Sequence, residues 1–253
     1  MIIFSDSYFD GHLADTPELC TRARRLRYQV YCVEHAYEPR EQPVAGEERD
    51  RYDARAVAFL FTHRESGLDV GTVRLVFAAD SAGLPFRHAM AGHPLLLPDS
   101  GGPAAEVSRL AISKTFRRRV EDGDAPWSMP GERPDMRARP FHPGSVFGLM
   151  RCILTYSRFA KLACWYAMME PSLARRLART GVVAEPLGPV IQHHGLRAPY
   201  RFPLAEAEAQ LRANEPVLWA YVTGRDGGTR WDPSTVELPV QMGAGAGGSG
   251  PPV

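Results

Sequence analysis

The segment from residue 105 to 112 places polar and charged side chains inside an apolar run. Its sequence, Ala-Glu-Val-Ser-Arg-Leu-Ala-Ile, is apolar enough for a strand that is buried on both faces. A charge in such a strand is unfavourable unless it is paired or faces a cleft. We therefore predict that Glu106, Ser108 and Arg109 lie in a catalytic site. The alternative is a purely structural pair between Glu106 and Arg109, because buried ion pairs are common.

Segments on both sides of this strand have the patterns of regular elements. Thr16, followed by Pro17, is a typical helix start. Residues 56–62 and 70–77 predict a hairpin closed by turn residues 66–69. Later segments predict a long helix from about residue 145, a central strand at 163–169 and helices over 171–181 and 205–214. These elements are expected to carry and surround the site.

Other segments give weaker patterns. The first 15 residues have no clear period, and residues 182–191 are strand-like but are interrupted by prolines. Residues 193–200 are expected to form a compact polar turn that covers an acceptor pocket. Residues 216–222 fit either a last strand or a helix end. We expect one domain over residues 1–224, with a proline-rich insertion at 120–144 and a flexible glycine-rich tail at 225–253.

The composition excludes several classes of protein. The chain has 253 residues and a formal net charge of +1, whereas a dedicated nucleic-acid binder is usually strongly basic. Its four cysteines have no CxxC spacing, so we expect reduced, mostly buried thiols and neither metal nor disulfide roles. There is no secretory signal pattern and no apolar run of the roughly 20 residues that a membrane span needs. We expect a cytoplasmic protein without a transmembrane segment.

The order of elements predicts the fold class. Strands alternate with helices only in the second half, so the sheet is expected to be mixed, with helices on both faces. The fold is then α/β, a three-layer α-β-α arrangement around a central, mostly antiparallel twisted sheet. A long helix that follows a strand and a loop is also suited to holding phosphate at its N-terminus.

Four short motifs in sequence order carry a resemblance to known proteins. They are Arg-Tyr-Gln-Val-Tyr at 27–31, Glu-Arg-Asp-Arg-Tyr-Asp at 48–53, Gly-Thr-Val-Arg-Leu at 71–75 and Glu-Val-Ser-Arg at 106–109. The overall order resembles the GCN5-related N-acetyltransferase (GNAT) fold. The motif set resembles the acyl-homoserine-lactone (autoinducer) synthases and the long-chain N-acyl amino acid synthases. The segment 193–200 is more similar to acyltransferases associated with PEP-CTERM/exosortase systems.

The resemblance implies acyl transfer from a thioester to an amine. The implied donor is the acyl-phosphopantetheine of acyl carrier protein, with no tightly bound cofactor, and the implied acceptor is an amino acid or a similar small amine. Such an amine must lose a proton to attack, and Glu106 is the candidate base, either directly or through a water. Backbone N–H groups are expected to stabilise the oxyanion where neighbouring strands separate.

Four more charged residues are expected to order the site or to bind the acceptor: Arg27, Asp50, Asp53 and Arg74. Arg74 and Arg109 can either pair with Asp50, Asp53 and Glu106 or clamp a substrate carboxylate through two hydrogen bonds. For the two aspartates we favour the ordering role over direct catalysis, because ion-pair networks often perturb charges without taking part in chemistry.

The basic cluster Arg117, Arg118 and Arg119 is expected to dock an acidic carrier protein, together with Arg24 or Arg27. The segment that follows lacks the short glycine-rich turn that coenzyme A-dependent acetyltransferases use for the pyrophosphate. A carrier-bound phosphopantetheine has a single phosphate and does not need that turn. The alternative is that the three arginines form a solvated turn.

An acyl chain needs an apolar channel, and the candidate lining residues are Tyr31, Phe147, Met150, Leu154 and Trp165. Plain core packing is the alternative for each of them, since apolar residues at helical spacing usually pack. The adjacent pair His193 and His194 is not expected to bind a metal, because side chains of neighbouring residues diverge on a strand.

Three functions compete at this point. The first is an N-acyltransferase that makes a long-chain N-acyl amino acid or a similar amide. The second is an autoinducer synthase that lactonises its acceptor; against it, Tyr37 stands near the position where those synthases carry a tryptophan. The third is a non-catalytic module that senses acyl carrier protein or a lipid. Replacing Glu106 by glutamine separates an enzyme from a sensor, because only the enzyme loses turnover.

Overall fold

The residues that the computed structural model describes, 1–78, 80–116, 144–179, 181–226, 231 and 234, form a nine-stranded open sheet. Its order is β1-β2-β3-β4-β5-β6-β9-β7, with β8 paired to β9. Only the β5–β6 pair is parallel; the other pairs are antiparallel. The strands are β1 (Ile2–Ser5), β2 (Phe9–Leu13), β3 (Ala56–His63), β4 (Asp69–Phe77), β5 (Ala104–Ile112), β6 (Cys164–Met169), β7 (Glu185–Pro186), β8 (Ile191–Gln192) and β9 (Leu196–Pro203).

Helices cover both faces of the sheet. They are α1 (Pro17–Arg27), α2 (Pro85–Ala89), α3 (Ser145–Phe159), α4 (Pro171–Arg179), α5 (Leu204–Asn214) and α6 (Pro216–Val222). Successive side chains of β3 point to opposite faces, so Leu60 packs under α1 whereas Phe59 and Phe61 pack under α3. This arrangement confirms the predicted three-layer α/β fold with a mixed, mostly antiparallel sheet.

Helix α1 begins where the sequence predicts. The hydroxyl of Thr16 accepts a hydrogen bond from the backbone N–H of Leu19 at 3.3 Å, and Pro17 occupies the first turn. After Arg27 the chain continues as a π-helical segment, Tyr28–Glu34. Because the π-helical turn is wider, Val30 and Tyr31 stay on the side that faces the sheet and pack there beside the buried residues of α1.

A bulge interrupts strand β5 at the predicted site. Thr72 pairs with Ala111 and Arg74 pairs with Ser108, so the single residue between them on β4 faces two residues of β5. One of these two, Arg109, has a φ of 52°. A bulge of this kind redirects a side chain relative to the regular alternation. As a result, the side chains of Ser108 and Arg109 both lie on the face of the sheet that α1 covers, although the two residues are adjacent.

Strands β5 and β6 separate halfway along the sheet. Their parallel pairing runs from Ala104 opposite Cys164 to Glu106 opposite Tyr166 and then stops. Beyond this point the backbone of β5 has no ladder partner on its β6 side within the described residues. The two strands therefore open a gap at the level of Ser108.

Two short strands at the start of the chain were not apparent from the sequence. Strands β1 and β2 form an antiparallel hairpin that joins the edge of the sheet at β3. The inward positions of β2 are Phe9, Gly11 and Leu13. Gly11 hides this alternation because it has no side chain, and a Cβ there would overlap the ring of Phe4. The side chains of β2 thus alternate between inward and outward positions, but the sequence of β2 does not show a matching alternation of apolar and polar residues.

The compact turn predicted over residues 193–200 is wrong beyond residue 195. Strand β9 begins at Leu196 and pairs with β6 along most of its length. Its inward residues are Ala198, Tyr200 and Phe202, and the prolines and arginines between them conceal the alternation. The segment 216–222 is a helix, since Pro216 occupies its first turn, and the alternative of a last strand is therefore wrong.

Some expected features lie outside the described residues: Arg117, Arg118, Arg119, the insertion up to residue 143 and most of the tail. Two of the described tail residues have contacts with the rest of the chain. Asp226 pairs with Arg151 at 2.7 Å, and the Trp231 ring stacks on Tyr156. The flexible tail expected from residue 225 is therefore not free at these two positions. No described helix has the length and apolar character that crossing a bilayer requires.

Candidate active site

A network of three arginines and four carboxylates lies between α1 and the sheet. Helix α1, strand β4 and the bulge of β5 each supply one arginine, and the connection between α1 and β3 supplies the carboxylates. If all groups are ionised, the carboxylates exceed the arginines by one charge. The members are Arg27, Arg74 and Arg109 with Glu38, Glu48, Asp50 and Asp53.

Arg27 is the inner anchor of this network. Only 2% of its side chain is exposed. It donates to Glu48 through Nε and to Asp53 at 2.6 and 3.2 Å. An arginine this buried has no surface to offer a partner, so its expected share in carrier docking is wrong. Arg24, the other residue considered there, pairs with Glu47 at 2.7 Å.

Arg74 connects the loop carboxylates to β5. It donates to both oxygens of Asp50 and to Asp53 at 2.6 Å, and its Nε donates to the Ser108 hydroxyl at 2.9 Å. Burial alone would raise the pKa of Asp50, but the hydrogen bonds and charge of Arg74 hold that pKa below its ordinary value. Both aspartates are thereby fixed as anions. Their ordering role remains a prediction, which these hydrogen bonds support.

Arg109 turns towards the same carboxylates because of the bulge. It donates to Glu48 at 3.0 Å and to Glu38 at 2.8 Å, and it lies 3.2 Å from Asp50. Its guanidinium also lies 5.3 Å from the centre of the Tyr31 ring. Each arginine of the network is therefore already bonded to carboxylates of the protein, which leaves neither Arg74 nor Arg109 free to clamp a substrate carboxylate.

Glu106 stands apart from the network. It is 2% exposed, and Oε2 accepts a hydrogen bond from the Phe86 backbone N–H at 2.7 Å. Within the described residues it makes no ion pair, so the expected pairing of Glu106 with Arg109 or Arg74 is wrong. Burial raises the pKa of Glu106 to about 8. It is the carboxyl at this site whose charge state changes near neutral pH, as a general base requires.

A cavity of about 400 Å³ enters the gap between β5 and β6. Val107 and Leu110 of its wall pack with the core under α3, whereas Tyr31 belongs to the cluster under α1. The cavity thus reaches both faces of the sheet. Ser108 lines it, whereas Glu106 and Arg109 are not among its wall residues. Glu106 lies two residues before Ser108, on the same face of β5.

Four of the five residues expected to hold an acyl chain line this cavity: Tyr31, Met150, Leu154 and Trp165. The Tyr31 hydroxyl donates to the Leu110 carbonyl at 3.0 Å, and the Trp165 ring N–H donates to Ser157 at 2.8 Å. Their polar atoms are therefore satisfied and their apolar surfaces face the space. Phe147 packs against the main core instead and is not among the wall residues.

The residues around the cavity include several that sequence reasoning did not assign. Glu38 and Glu48 complete the arginine network, although the sequence indicates no role for either of them, even for Glu48 in the motif at 48–53. Arg197 and Arg176 line the cavity. Arg197 was not singled out because its strand was read as a turn.

The turn at residues 193–195 borders the same region. His194 lies 3.5 Å from Glu38, and its ring is near Tyr37. Burial, with the charges of His194, Arg197 and Arg109, lowers the pKa of His193 to about 4, so this ring is neutral at pH 7. The described ranges contain no group of three His, Cys, Asp or Glu side chains that could hold a metal ion.

Comparisons with known proteins agree with this architecture. Residues 26–122 match the model of the acetyltransferase (GNAT) domain. Among solved structures, the AHL synthase LasI is 16% identical with a TM-score of 0.57, over 83% of this chain and 97% of its own. FeeM, an N-acyl amino acid synthase from uncultured soil microbes, is 18% identical with a TM-score of 0.51, over 82% and 97%.

A third similar structure is BjaI, a CoA-dependent acyl-homoserine lactone synthase solved with SAM and isopentyl-CoA. It is 20% identical with a TM-score of 0.53, over 80% of this chain and 86% of its own. No curated protein matches the sequence closely enough to count as a relative. At such low identities these structures show a shared fold. Together with the domain match over residues 26–122, they confirm the GNAT-type fold that the sequence resemblance implied.

Proposed function

We propose that the chain is an N-acyltransferase that moves a long-chain fatty acyl group from acyl carrier protein to the amine of an amino acid or a similar small molecule. The observation that carries this proposal is the cavity at the separation of β5 and β6. It is mostly apolar along α3, includes Ser108 in its wall and reaches, through Tyr31, the face of the sheet that α1 covers. An apolar tail and a polar acceptor can therefore occupy the two sides of one opening.

The reaction needs few groups from the protein. The amine nitrogen attacks the thioester carbonyl, a C–N bond forms and the C–S bond breaks. An amine that binds as the ammonium ion gives up one proton before it attacks and a second as the amide forms; the departing thiolate takes up one, and the other passes to solvent. A thiol has a pKa of about 8.5, far below that of an amine, so the sulfur leaves with little assistance. Backbone N–H groups of β5 beyond Glu106 are free of a β6 partner and are suited to bind the oxyanion.

Glu106 receives the amine proton in this proposal. Because it is not a wall residue of the cavity, it acts through a water rather than by direct contact. Ser108 is placed to hold that water, since its hydroxyl oxygen accepts from Arg74 and its own proton remains available to donate. Asp50, Asp53, Arg27, Arg74 and Arg109 then fix the position of β5 and of Ser108.

A carrier protein as donor is supported by the basic surface of α4. Arg175, Arg176 and Arg179 are exposed, and Arg176 lines the cavity. None of the three forms an ion pair with a residue that the structure describes. Acyl carrier proteins are acidic, so such a surface favours their approach and orientation. Arg117, Arg118 and Arg119 remain proposed parts of the docking surface.

Mass spectrometry of lipid extracts tests the proposal. Cells expressing the wild-type chain are compared with cells expressing Glu106→Gln, which removes the base at nearly constant volume. Glu65→Gln is the matched control, because Glu65 is exposed in the turn between β3 and β4. We expect new N-acyl amino acids with wild type and Glu65→Gln, and a decrease of at least roughly tenfold with Glu106→Gln.

Other results point to the competing functions. Accumulation of acyl-homoserine lactones instead of N-acyl amino acids would identify an autoinducer synthase. An amide profile that is the same with and without well-folded wild-type protein, together with retained binding of acyl carrier protein, would identify a sensor. Equal amounts of product from wild type and Glu106→Gln would show that the Glu106 carboxyl is not the base. The proposed acyl transfer itself would still stand.

A further inference from the structure

Arg197 differs from Arg27, Arg74 and Arg109 because it has no carboxylate partner among the described residues. It lies on β9 and lines the cavity. Its guanidinium stands 5.6 Å from the centre of the Tyr37 ring, and its Nε is buried without a hydrogen-bond partner. No carboxylate of the described residues lies within ion-pairing distance of it. The positive charge is therefore partly removed from water and uncompensated.

The neighbouring arginines show how unusual this is. Arg27, Arg74 and Arg109 each bind two or more carboxylates. Arg201 follows Arg197 on the same face of β9 and pairs with Glu185 at 2.7 Å. A partly desolvated guanidinium without a partner is unfavourable for folding. Arg197 therefore has the properties expected of a residue that binds an anionic ligand.

We propose that Arg197 binds the carboxylate of the acceptor, so that the preferred acceptor is an amino acid with a free carboxylate rather than a simple amine. This inference rests on the proposed function and names the substrate class for the same site. The planar guanidinium fork matches a carboxylate through two parallel hydrogen bonds. A single arginine also balances a single carboxylate charge, whereas a phosphate dianion would leave a charge uncompensated.

The position of Arg197 suits this role. It shares the cavity with Ser108 and Leu110, so an acceptor held by its carboxylate can place its amine near the gap in the sheet. Two titratable groups of the adjoining segments are already engaged or uncharged. Glu38 is bonded to Arg109 at 2.8 Å and lies 3.5 Å from His194, and His193 is neutral at pH 7.

Saturation-transfer NMR tests the inference without requiring turnover. The probes are an equimolar mixture of the twenty proteinogenic amino acids and a matched mixture of their carboxamides, which lack the negative charge. Wild type is compared with Arg197→Met and with Arg197→Lys. Arg201→Met is the control, since it removes an arginine from the same strand face without touching the cavity wall. Circular dichroism verifies that each variant is folded.

We expect wild type and Arg201→Met to bind amino acids in preference to carboxamides by at least about tenfold, and Arg197→Met to lose that preference. Arg197→Lys is expected to restore part of it. An unchanged preference in Arg197→Met, an equal loss in Arg201→Met, or no amino acid binding by wild type would each overturn the inference. Selective binding without acyl transfer would refute the proposed function alone, and acyl transfer with no carboxyl selectivity would refute the inference alone.

Discussion

At the scale of single residues, the carboxyl of Glu106 links the chemistry of the site to the stability of the fold. Its pKa of about 8 means that the folded protein holds a proton that the unfolded chain has released above its ordinary pKa of 4.5. The ionised form that can accept a proton is therefore also the form that the buried site disfavours. Activity and stability are expected to respond to pH in opposite directions.

The stability and the activity of the protein should depend on pH in opposite ways. Because the folded pKa is raised, the stabilisation by Glu106 is complete below about pH 4.5 and is lost as the pH rises through about 8. The free energy of unfolding of wild type, measured relative to Glu106→Gln by urea titration, should fall across this window by at most about 1.4 kcal/mol per pH unit. Over the same range, kcat/KM of wild type should rise. Stability curves that stay parallel for the two proteins would show that Glu106 does not titrate there.

Sequence reasoning named the pairs of Arg74 with Asp50 and Asp53, which the structure contains, but not the pairs of Arg27 and Arg109 with Glu48. Residue types and motif spacing pointed to Glu106, Arg74, Asp50 and Asp53. The pairing of Glu106 with Arg109 was wrong because the bulge in β5 turns Arg109 towards Glu48. A bulge depends on the register of two strands, and neither strand shows that register by itself.

At the scale of elements, the arginine network fastens α1, β4 and β5 to one loop. Arg27 contributes from α1, Arg74 from β4 and Arg109 from β5, and all three meet carboxylates of the connection between α1 and β3. The elements that frame the cavity are thus joined by charge as well as by apolar packing. Loss of one inner arginine leaves carboxylates of the network with one partner instead of two.

We predict that Arg27→Met destabilises the protein by about 3–5 kcal/mol, because Glu48, which is buried, and Asp53 each lose one of their two arginine partners. Arg22→Met is the comparison on the same helix, since the Arg22 pair with Asp69 is about one-third exposed on the arginine side. Its loss should cost no more than about 1 kcal/mol. Urea unfolding of both variants measures the difference. Equal losses in the two variants would mean that the inner network adds nothing beyond surface pairing.

The predicted elements succeeded where the apolar period was visible and failed where other residues concealed it. The hairpin of β3 and β4, strand β6 and helices α1 and α3 follow from regular spacing. Gly11 in β2 and the prolines of β9 interrupt such spacing, although the backbone there is extended. Tertiary pairing with β3 and β6 determines these strands, and a local pattern does not contain that information.

At the scale of the whole molecule, the basic surface of α4 and the opening of the cavity lie together. We predict that Arg175→Glu with Arg179→Glu raises KM for acyl carrier protein severalfold and changes kcat little, because charge steers the encounter more than it alters chemistry. The effect should weaken at high salt. The control is Arg25→Glu with Arg40→Glu, which changes the net charge equally at exposed positions of α1 and the connection after it. If the control raises KM as much, the effect is one of net charge and not of docking.

The opening through the sheet has a kinetic consequence. An acyl donor that enters along α3 and an acceptor that enters from the side of α1 need not displace one another, so both can be present when the amide forms. Initial rates measured at varied concentrations of both substrates should then give intersecting double-reciprocal lines, the mark of a ternary complex. Parallel lines would instead indicate a covalent acyl-enzyme intermediate that persists after the first product has left.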